Sequence, residues 1–155
     1  PDILILGKAL SGGVVPVSAV LADDYIMMNI KPGEHGSTFG GNPIAAKVSM
    51  AALQVIKDEN LMEKAEYLGN IFREEMRKID SPMIELVRGK GLLNAVIIKP
   101  KDGKEAWDVC MKMKENGVLA KPTHQHIIRF APPLVITEEE LRAAIEIIKE
   151  TILSF

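Results

Sequence analysis

The chain has 155 residues, 47% of them hydrophobic and 26% charged, with a formal net charge of −2 at pH 7. This length and composition are typical of one or two small globular units and exclude a disordered, fibrous or disulfide-stapled chain. It has no long basic run, no membrane-spanning apolar run and no signal-peptide pattern, so we expect neither a nucleic-acid nor a membrane partner. The single cysteine, Cys110, has no bridge partner and is expected to be a core thiol on a helix, in a reducing compartment.

The first predicted element is a strand over Ile3–Leu6, a continuous apolar run typical of a strand buried on both faces of a parallel sheet. The glycine-rich segment Leu6–Gly13 follows it and carries Lys8. Functional sites in parallel sheets lie beyond the carboxyl ends of the strands. Because burial disfavours the ammonium form, Lys8 is a candidate nucleophilic amine able to form a Schiff base with a carbonyl. The alternative is a lysine whose ammonium group reaches into water.

A second strand is predicted over Pro16–Leu21, and it offers the first strand only one further sheet partner. Two strands are too few for a stable sheet that is covered on both faces. We therefore expect residues 1–60 to be the tail of a larger domain whose earlier part lies outside this chain. The alternative is that another chain supplies the missing strands.

The segment Gly33–Pro43 places two hydroxyls, Ser37 and Thr38, among four glycines just before a predicted helix. Asn42 is a suitable N-cap for that helix and Pro43 a suitable first residue. Such a segment can bind a phosphate through backbone N–H groups, the helix dipole and the hydroxyls. The alternative is an ordinary glycine-rich turn that caps the helix. Neither glycine segment of the chain follows the P-loop or the dinucleotide-binding pattern.

From about residue 61 onward, helical and strand patterns alternate and predict a compact α+β unit. Apolar residues at helical spacing and turn residues between them set its elements. The predicted elements are a helix from Leu61 to Ile79, strands over Ile84–Val87 and Leu92–Ile98, a helix near Ala106–Asn116, short strands at Val118–Ala120 and Ile127–Phe130, and a last helix that begins with Thr137 as N-cap and Glu140 as its capping-box partner.

Arg129 interrupts the apolar strand Ile127–Phe130 just before a double proline. A charge in this position needs a partner or a ligand, and the planar guanidinium suits a carboxylate. The alternatives are a structural ion pair and an edge-strand arginine that faces solvent.

Other polar residues near Arg129 give weaker signals. His124 and His126, two residues apart, are spaced for one strand face, but no third ligand is near, so no metal site is predicted. Arg88, Lys90 and Lys121 stand beside turns and are interpreted as solvated charges.

A lysine, a glycine–hydroxyl segment and a carboxylate-binding arginine together are the equipment of a pyridoxal-phosphate enzyme that acts on amino acids. The chain resembles the fold-type I, class III aminotransferases across essentially all of its 155 residues. Two of the segments that carry the resemblance are widely shared in that family, and the later ones point more narrowly to its ornithine aminotransferase branch. These segments are Leu6–Gly13, Gly36–Pro43, Arg88–Ala95, and Lys121–Thr123 with Ile127–Ile136.

The resemblance implies an α/β fold in which residues 1–60 end the sheet of the large cofactor-binding domain and residues 61–155 form the small carboxyl-terminal α+β domain. It implies that Lys8 holds pyridoxal 5'-phosphate and moves a proton on the substrate. Ser37 and Thr38 would bind the cofactor phosphate of the neighbouring subunit, so a homodimer is expected. Arg129 would hold the α-carboxylate of glutamate or 2-oxoglutarate.

The reaction implied by the resemblance transfers the δ-amino group of ornithine to 2-oxoglutarate, giving glutamate 5-semialdehyde and glutamate. The expected location is the mitochondrial matrix, with the cytoplasm as the alternative. Four features of the family are expected upstream of this chain: the aspartate that pairs with the pyridinium nitrogen, a stacking aromatic, a second phosphate-binding loop, and a glutamate that masks Arg129. The chain alone is therefore expected to be inactive.

Two alternatives to this assignment remain open. One is another class III aminotransferase, acting on acetylornithine or 4-aminobutyrate. The other is a non-catalytic, truncated interaction module.

Overall fold

The computed structural model describes residues 1–155, which form two compact units, Pro1–Glu59 and Asn60–Phe155. The first unit contains two strands and two helices. In chain order these are β1 (Ile3–Leu6), β2 (Ala19–Ala22), α1 (Asp24–Met27) and α2 (Pro43–Asp58).

Within this chain the first strand is neither buried nor part of a parallel pair, and its burial in a larger sheet stays a prediction. β1 pairs only with β2, in antiparallel register from Ile3 opposite Ala22 to Leu6 opposite Ala19. The side chains of β1 are largely exposed, with Ile5 75% accessible. A continuous apolar run indicates that both faces of the strand are apolar, but it does not show which elements cover those faces.

The second unit is a four-stranded antiparallel sheet with three helices. Its elements are α3 (Leu61–Arg77), β3 (Ile84–Lys90), β4 (Leu93–Ile98), α4 (Ala106–Glu115), β5 (Lys121–Thr123), β6 (Ile127–Phe130) and α5 (Glu138–Leu153). The strand order is β3-β4-β6-β5. α3 packs on β3 and β4, α4 packs on β5 and β6, and α5 packs on both helices.

The core of the second unit lies between one face of the sheet and these helices. Val87, Val96 and Ile128 are in register on three neighbouring strands and are buried on that face. On α3 the predicted apolar stripe is buried, including Phe72, whose ring lies 5.1 Å from that of Phe130. The opposite face of the sheet carries the charged residues discussed below.

Both predicted helix caps are confirmed. Asn42 Oδ1 accepts hydrogen bonds from the N–H of Ile44 at 2.9 Å and of Ala45 at 3.2 Å, with a proline at the first helical position. At α5, the Thr137 hydroxyl accepts from the N–H of Glu140 at 3.1 Å, and the Glu140 carboxylate accepts from the N–H of Thr137 at 2.8 Å.

The predicted strand at Val118–Ala120 is wrong, because β5 begins only at Lys121. The N–H of Val118 donates to Met113 O at 2.9 Å, so this segment completes the end of α4. Gly117 makes that closure possible with a left-handed φ of 97°. The sequence predicted the end of this helix correctly, but the apolar residues after Gly117 follow the helix terminus and do not form a strand.

Two expectations drawn from composition can be compared with the structure. Cys110 is buried on α4, as predicted for a core thiol, and burial raises the pKa of the thiol to about 11. None of the helices combines the length and the apolar character that crossing a membrane requires.

Candidate active site

Lys8 lies in the turn that follows β1 and has a left-handed backbone conformation, with a φ of 53°. This conformation costs a non-glycine residue about 1–2 kcal/mol, and residues strained in this way cluster at functional sites. The side chain is exposed. Neither strand of the first unit covers Lys8, so its burial in a complete site stays a prediction.

Ser11 anchors the segment that presents Lys8. It is 1% exposed, its hydroxyl accepts from the N–H of Val15 at 3.1 Å, and the same hydroxyl donates to Val15 O. Gly12 and Gly13 both have positive φ, which glycine adopts without steric cost. The segment is therefore a series of turns held by one buried serine, with Lys8 pointing outward.

Ser37 and Thr38 lie in the turn immediately before α2, and both are exposed. The N–H of Gly40 donates to Ser37 O at 3.2 Å, and the N–H of Asn42 donates to Phe39 O at 3.3 Å. Two backbone N–H groups of this segment, those of Gly40 and Asn42, are thus engaged in its own turns. The exposed hydroxyls of Ser37 and Thr38 are donors that an anion at this turn could meet.

The cap of α2 occupies part of the helix N-terminus that the sequence predicted to favour a phosphate. Asn42 already occupies the N–H groups of Ile44 and Ala45, and Pro43 has no N–H to donate. The helix dipole still points toward the turn. The N–H groups of Ile44 and Ala45 are therefore engaged by the cap, whereas the hydroxyls of Ser37 and Thr38 are exposed.

Arg129 lies on β6, an inner strand of the four-stranded sheet. Its neighbours Ile128 and Phe130 are buried on the core face, whereas Arg129 is exposed on the opposite face. No salt bridge involves Arg129. β6 is therefore not an edge strand and Arg129 has no ion pair within this chain, but its side chain faces solvent, and its role as a carboxylate ligand stays a prediction.

A row of cations crosses the outer face of the sheet at Arg129. Arg88 on β3 pairs with Ala95 on β4, Ala95 pairs with Arg129, and Arg129 pairs with Lys121 on β5. Directly paired residues of antiparallel strands project from the same face. Arg88, Arg129 and Lys121 make no salt bridges, and the small Ala95 leaves space between the two arginines.

Arg88 and Lys121 are exposed and have no salt bridge, as their interpretation as solvated charges predicts, but the sequence did not place them beside Arg129. The signal that finds them is the register between strands, because it sets residues distant in sequence on one row. Period-two alternation within a single strand does not contain that information.

Part of this row lines an open groove of about 580 Å³ on the outer face. The lining contains three cationic side chains and no carboxylate. Lys90 is paired with Glu66, whereas Arg88 and Arg129 have no ion pair, so the charge of these two arginines favours an anion. Its lining residues are Arg88, Gly89, Lys90, Leu93, Asn94, Ala95, Thr123, His124, Ile127 and Arg129.

Thr123 contributes an unsatisfied hydroxyl to this groove. Its Oγ1 atom is buried and has no hydrogen-bond partner. Leaving a buried polar group unpaired costs about 1–3 kcal/mol. The expected shared strand face of His124 and His126 is wrong, since both lie in the turn between β5 and β6. No cluster of three metal-ligating side chains occurs in the chain.

The predicted site residues divide between the two units. Lys8, Ser37 and Thr38 lie in Pro1–Glu59, and Arg129 lies in Asn60–Phe155. Within the second unit, the structure brings together residues that are distant in sequence. The register of the strands places Arg129 in one row with two further cations.

Comparison with known proteins relates both units to one family. The family profile described as aminotransferase class-III matches residues 1–152. The mitochondrial ornithine aminotransferase of Rattus norvegicus is 58% identical over 155 residues, which cover 100% of this chain and 35% of that protein. The mitochondrial ornithine aminotransferase of Drosophila melanogaster is 59% identical over 154 residues, 99% of this chain and 35% of that protein. The chain thus spans about 35% of the length of these curated relatives.

Two solved structures are similar to the chain in both sequence and fold. The acetylornithine aminotransferase from Elizabethkingia anophelis matches with a TM-score of 0.94 and 62% identity, over 100% of this chain and 39% of that one. The ornithine aminotransferase from Toxoplasma gondii matches with a TM-score of 0.94 and 52% identity, over 99% of this chain and 37% of that one. That structure is described as having partial occupancy of PLP at its active site.

Proposed function

Because the chain belongs to the class III aminotransferases, which use pyridoxal phosphate, we propose that it forms the carboxyl-terminal part of an ornithine aminotransferase. The resemblance predicted from the sequence segments is confirmed, as is the α/β fold class of a partial fold-type I domain. In this proposal residues 1–60 end the large domain, and residues 61–155 are the small carboxyl-terminal domain.

The proposed reaction transfers the δ-amino group of ornithine to 2-oxoglutarate and yields glutamate 5-semialdehyde and glutamate. The geometry that carries this proposal is the groove around Arg129, which contains cations and no carboxylate. A dicarboxylate acceptor suits such a groove, because an arginine without an ion pair can take a carboxylate in two parallel hydrogen bonds. The 58% identity to an ornithine aminotransferase over the whole chain supports ornithine as the donor.

The residues of the first unit fit the cofactor. Pyridoxal phosphate, when bound, supplies the electron sink that amino-group transfer requires. Lys8 offers an exposed amine on a turn anchored by Ser11, and we assign it the attachment of the cofactor. Once free, the same amine would take a proton from the reacting carbon of the substrate and return it. The exposed hydroxyls of Ser37 and Thr38 fit a phosphate, which accepts hydrogen bonds through its oxygens.

The attachment of the cofactor to Lys8 can be tested by borohydride reduction, which makes the lysine–cofactor bond permanent, followed by peptide mapping. We expect the label on the peptide that contains Lys8 in the complete enzyme, and none in a Lys8→Ala variant. Lys31→Ala is the matched control in the same unit, since the Lys31 ammonium donates to Met28 O in a local turn. A label on another lysine would contradict the assignment.

A second donor is favoured by one specific observation, the 62% identity to an acetylornithine aminotransferase. Assays of the complete enzyme with 2-oxoglutarate and, separately, ornithine, N-acetylornithine or 4-aminobutyrate distinguish the donors. We expect the highest kcat/KM with ornithine. A preference for either other compound would assign the chain to another branch of the class III family.

We further propose a homodimer in which Ser37 and Thr38 bind the phosphate in the neighbouring subunit's site. Two inactive variants, Lys8→Ala and the double variant Ser37→Ala, Thr38→Val, can be mixed, unfolded and refolded together. If the sites are shared between subunits, a mixed dimer contains one site with all three residues intact, and activity returns. If each site is built within one subunit, mixing restores nothing.

Two further parts of the proposal concern the isolated chain and its location. We expect the 155-residue chain alone to be inactive, because its Lys8 is exposed and its relatives are nearly three times longer. Conversion of ornithine and 2-oxoglutarate above the rate with free cofactor would contradict this. We propose the mitochondrial matrix as the location, which the names of the rat and fly relatives support. Recovery of the complete enzyme in the cytosolic fraction would overturn it.

A further inference from the structure

A buried arginine lies beneath the groove, on the core face of the sheet. Arg73 on α3 is 7% exposed although it carries a charge. Burying a guanidinium is costly unless hydrogen bonds and an opposite charge compensate. Its nearest carboxylate oxygen, on Glu66, is 3.7 Å away, so most of the compensation comes from hydrogen bonds.

Two of the hydrogen-bond acceptors of Arg73 are Gly91, in the turn between β3 and β4, and Asn94, near the start of β4. The Nη1 atom of Arg73 donates to Gly91 O at 2.9 Å and to Asn94 Oδ1 at 2.8 Å, and its Nη2 atom donates to Asn70 Oδ1 at 2.6 Å. Asn94 is itself 2% exposed, and its Nδ2 atom donates to Gly91 O at 3.2 Å. A closed polar network therefore holds the turn against α3.

The fit between the turn and α3 is also steric. A Cβ atom at Gly69 would lie 1.8 Å from Gly91 O, so only glycine allows the turn to approach the helix this closely. A Cβ atom at Gly89 would lie 2.2 Å from Asn94 Oδ1. A larger side chain at either glycine would therefore displace the turn from α3 or from Asn94.

A salt bridge between Lys90 and Glu66 is a third contact between α3 and the residues beside the turn. Lys90 Nζ lies 3.0 Å from Glu66 Oε2. The hydrogen bond from Lys90, together with the charges of Lys90 and Arg73, lowers the pKa of the Glu66 carboxyl below its ordinary value. Lys90 is largely exposed, so this pair contributes little to stability, but it orients the lysine along the turn.

The ends of the two strands that flank this turn form one wall of the groove. Arg88, Gly89 and Lys90 line it from β3, and Asn94 and Ala95 line it from β4. The register continues this wall directly to the candidate carboxylate-binding residue, because Ala95 pairs with Arg129. A shift of the turn relative to α3 therefore changes the groove in which Arg129 lies.

We propose that Arg73 is a positioning residue for the Arg129 groove: by holding Gly91 and Asn94 from the core face, it sets the wall that faces an acidic substrate. This inference rests on the proposed function, since it assigns the dicarboxylate acceptor to that groove. Arg73 itself lies beneath the sheet and does not touch the substrate. Its effect should fall on the binding of dicarboxylates and not on ornithine, which presents an ammonium group at its reacting end.

The test measures binding and kinetics in the complete enzyme with Arg73→Met. Glutarate, a dicarboxylate that cannot be transaminated, is titrated calorimetrically. We expect its Kd and the KM for 2-oxoglutarate to rise about ten-fold, because displacement of a binding wall by a fraction of an ångström to one ångström has effects of this size. The KM for ornithine should stay within about two-fold. Unchanged glutarate binding, or an equal loss for both substrates, would overturn the proposal.

Arg77→Met is the matched control on the same helix, one turn further along. Arg77 is exposed and donates only to Val87 O at 3.4 Å, away from the turn. The Arg77→Met variant should bind glutarate with the same Kd as the parent enzyme. If Arg77→Met weakened glutarate binding as much as Arg73→Met does, a general loss of helix packing would explain both and the proposal would fail.

Gly69→Ala provides a second variant that does not depend on removing a buried charge. Alanine raises helix propensity by about 1 kcal/mol but forces Gly91 away from α3. We expect weaker glutarate binding despite the better helix former, and this variant decides the matter if Arg73→Met does not fold. Normal glutarate binding in Gly69→Ala overturns the proposal. Absence of ornithine transamination by the parent enzyme would instead contradict the proposed function, whatever these variants show.

Discussion

The two units of the chain use similar apolar residues in opposite ways. Every buried hydrophobic side chain lies in Asn60–Phe155, whereas the only buried residues of Pro1–Glu59 are Ser11 and Ser49. In the second unit, three helices pack together with one face of the sheet and enclose a core between them. The first unit has two short strands and exposes Ile3, Leu4 and Ile5. Apolar content therefore does not by itself show which part of a chain is self-sufficient.

The largest expected effect comes from separating the two units. We expect Asn60–Phe155 expressed alone to unfold cooperatively, because its core is internal, and Pro1–Glu59 alone to show no cooperative transition. Thermal unfolding followed by circular dichroism measures both. A cooperative transition in Pro1–Glu59 would show that this unit also folds on its own and would contradict the difference between the two units.

A matched pair of truncations tests the same contrast at single residues. Phe72→Ala removes a ring that is 3% exposed and contacts Phe130, and should lower the free energy of unfolding by about 3–5 kcal/mol. Ile5→Ala removes a side chain that is 75% exposed and should change it by less than about 0.5 kcal/mol. Urea unfolding of the 155-residue chain provides both values. Equal losses would mean that Ile5 is packed in solution.

The cap of α5 gives an intermediate effect with a defined pH dependence. Hydrogen bonds from the backbone N–H and then the hydroxyl of Thr137 lower the pKa of Glu140 below its ordinary value of 4.5. A lowered carboxyl pKa stabilises the fold above the unfolded value, and this contribution disappears as pH falls through the folded value.

We therefore expect Thr137→Ala to cost about 1 kcal/mol at pH 7. Glu140→Gln should be less stable than the parent at pH 7 and equal to it in acid, below the lowered pKa. Unfolding of Asn60–Phe155 at several pH values measures this. A difference between Glu140→Gln and the parent that grows as pH falls would contradict the capping role.

The smallest expected effect is at Thr123, and it has the opposite sign. Thr123→Val removes a buried hydroxyl that has no partner, so the free energy of unfolding should rise, by up to about 1 kcal/mol. The same variant should not bind glutarate more tightly. A loss of stability would show that the hydroxyl has a partner in solution, such as an ordered water.

Several features of the molecule could be predicted from residues alone because they depend on neighbours in sequence. The caps at Asn42 and Thr137 involve atoms two or three residues apart. The apolar stripe of α3 follows from helical spacing. Family membership could also be predicted, since short segments such as Leu6–Gly13 carry it.

Other features depended on contacts between distant segments. The run Ile3–Leu6 is apolar on both faces, but its exposure and antiparallel pairing depend on which elements surround it. The helix N-terminus before α2 was predicted as an anion site, yet the cap itself uses those N–H groups. The cap thus removes two of the N–H donors at that turn, which the sequence pattern alone does not show.

The sequence by itself determined the residue types of the candidate site: the lysine after a strand, the hydroxyl pair before a helix and the arginine in an apolar strand. The tertiary structure decided how Arg129 is surrounded. Antiparallel register placed Arg88 and Lys121 on its row, and Arg73 was brought beneath the adjoining turn from a helix. The physical reason is that register and helix–sheet packing join residues distant in sequence, whereas a linear pattern records only the preference of each segment.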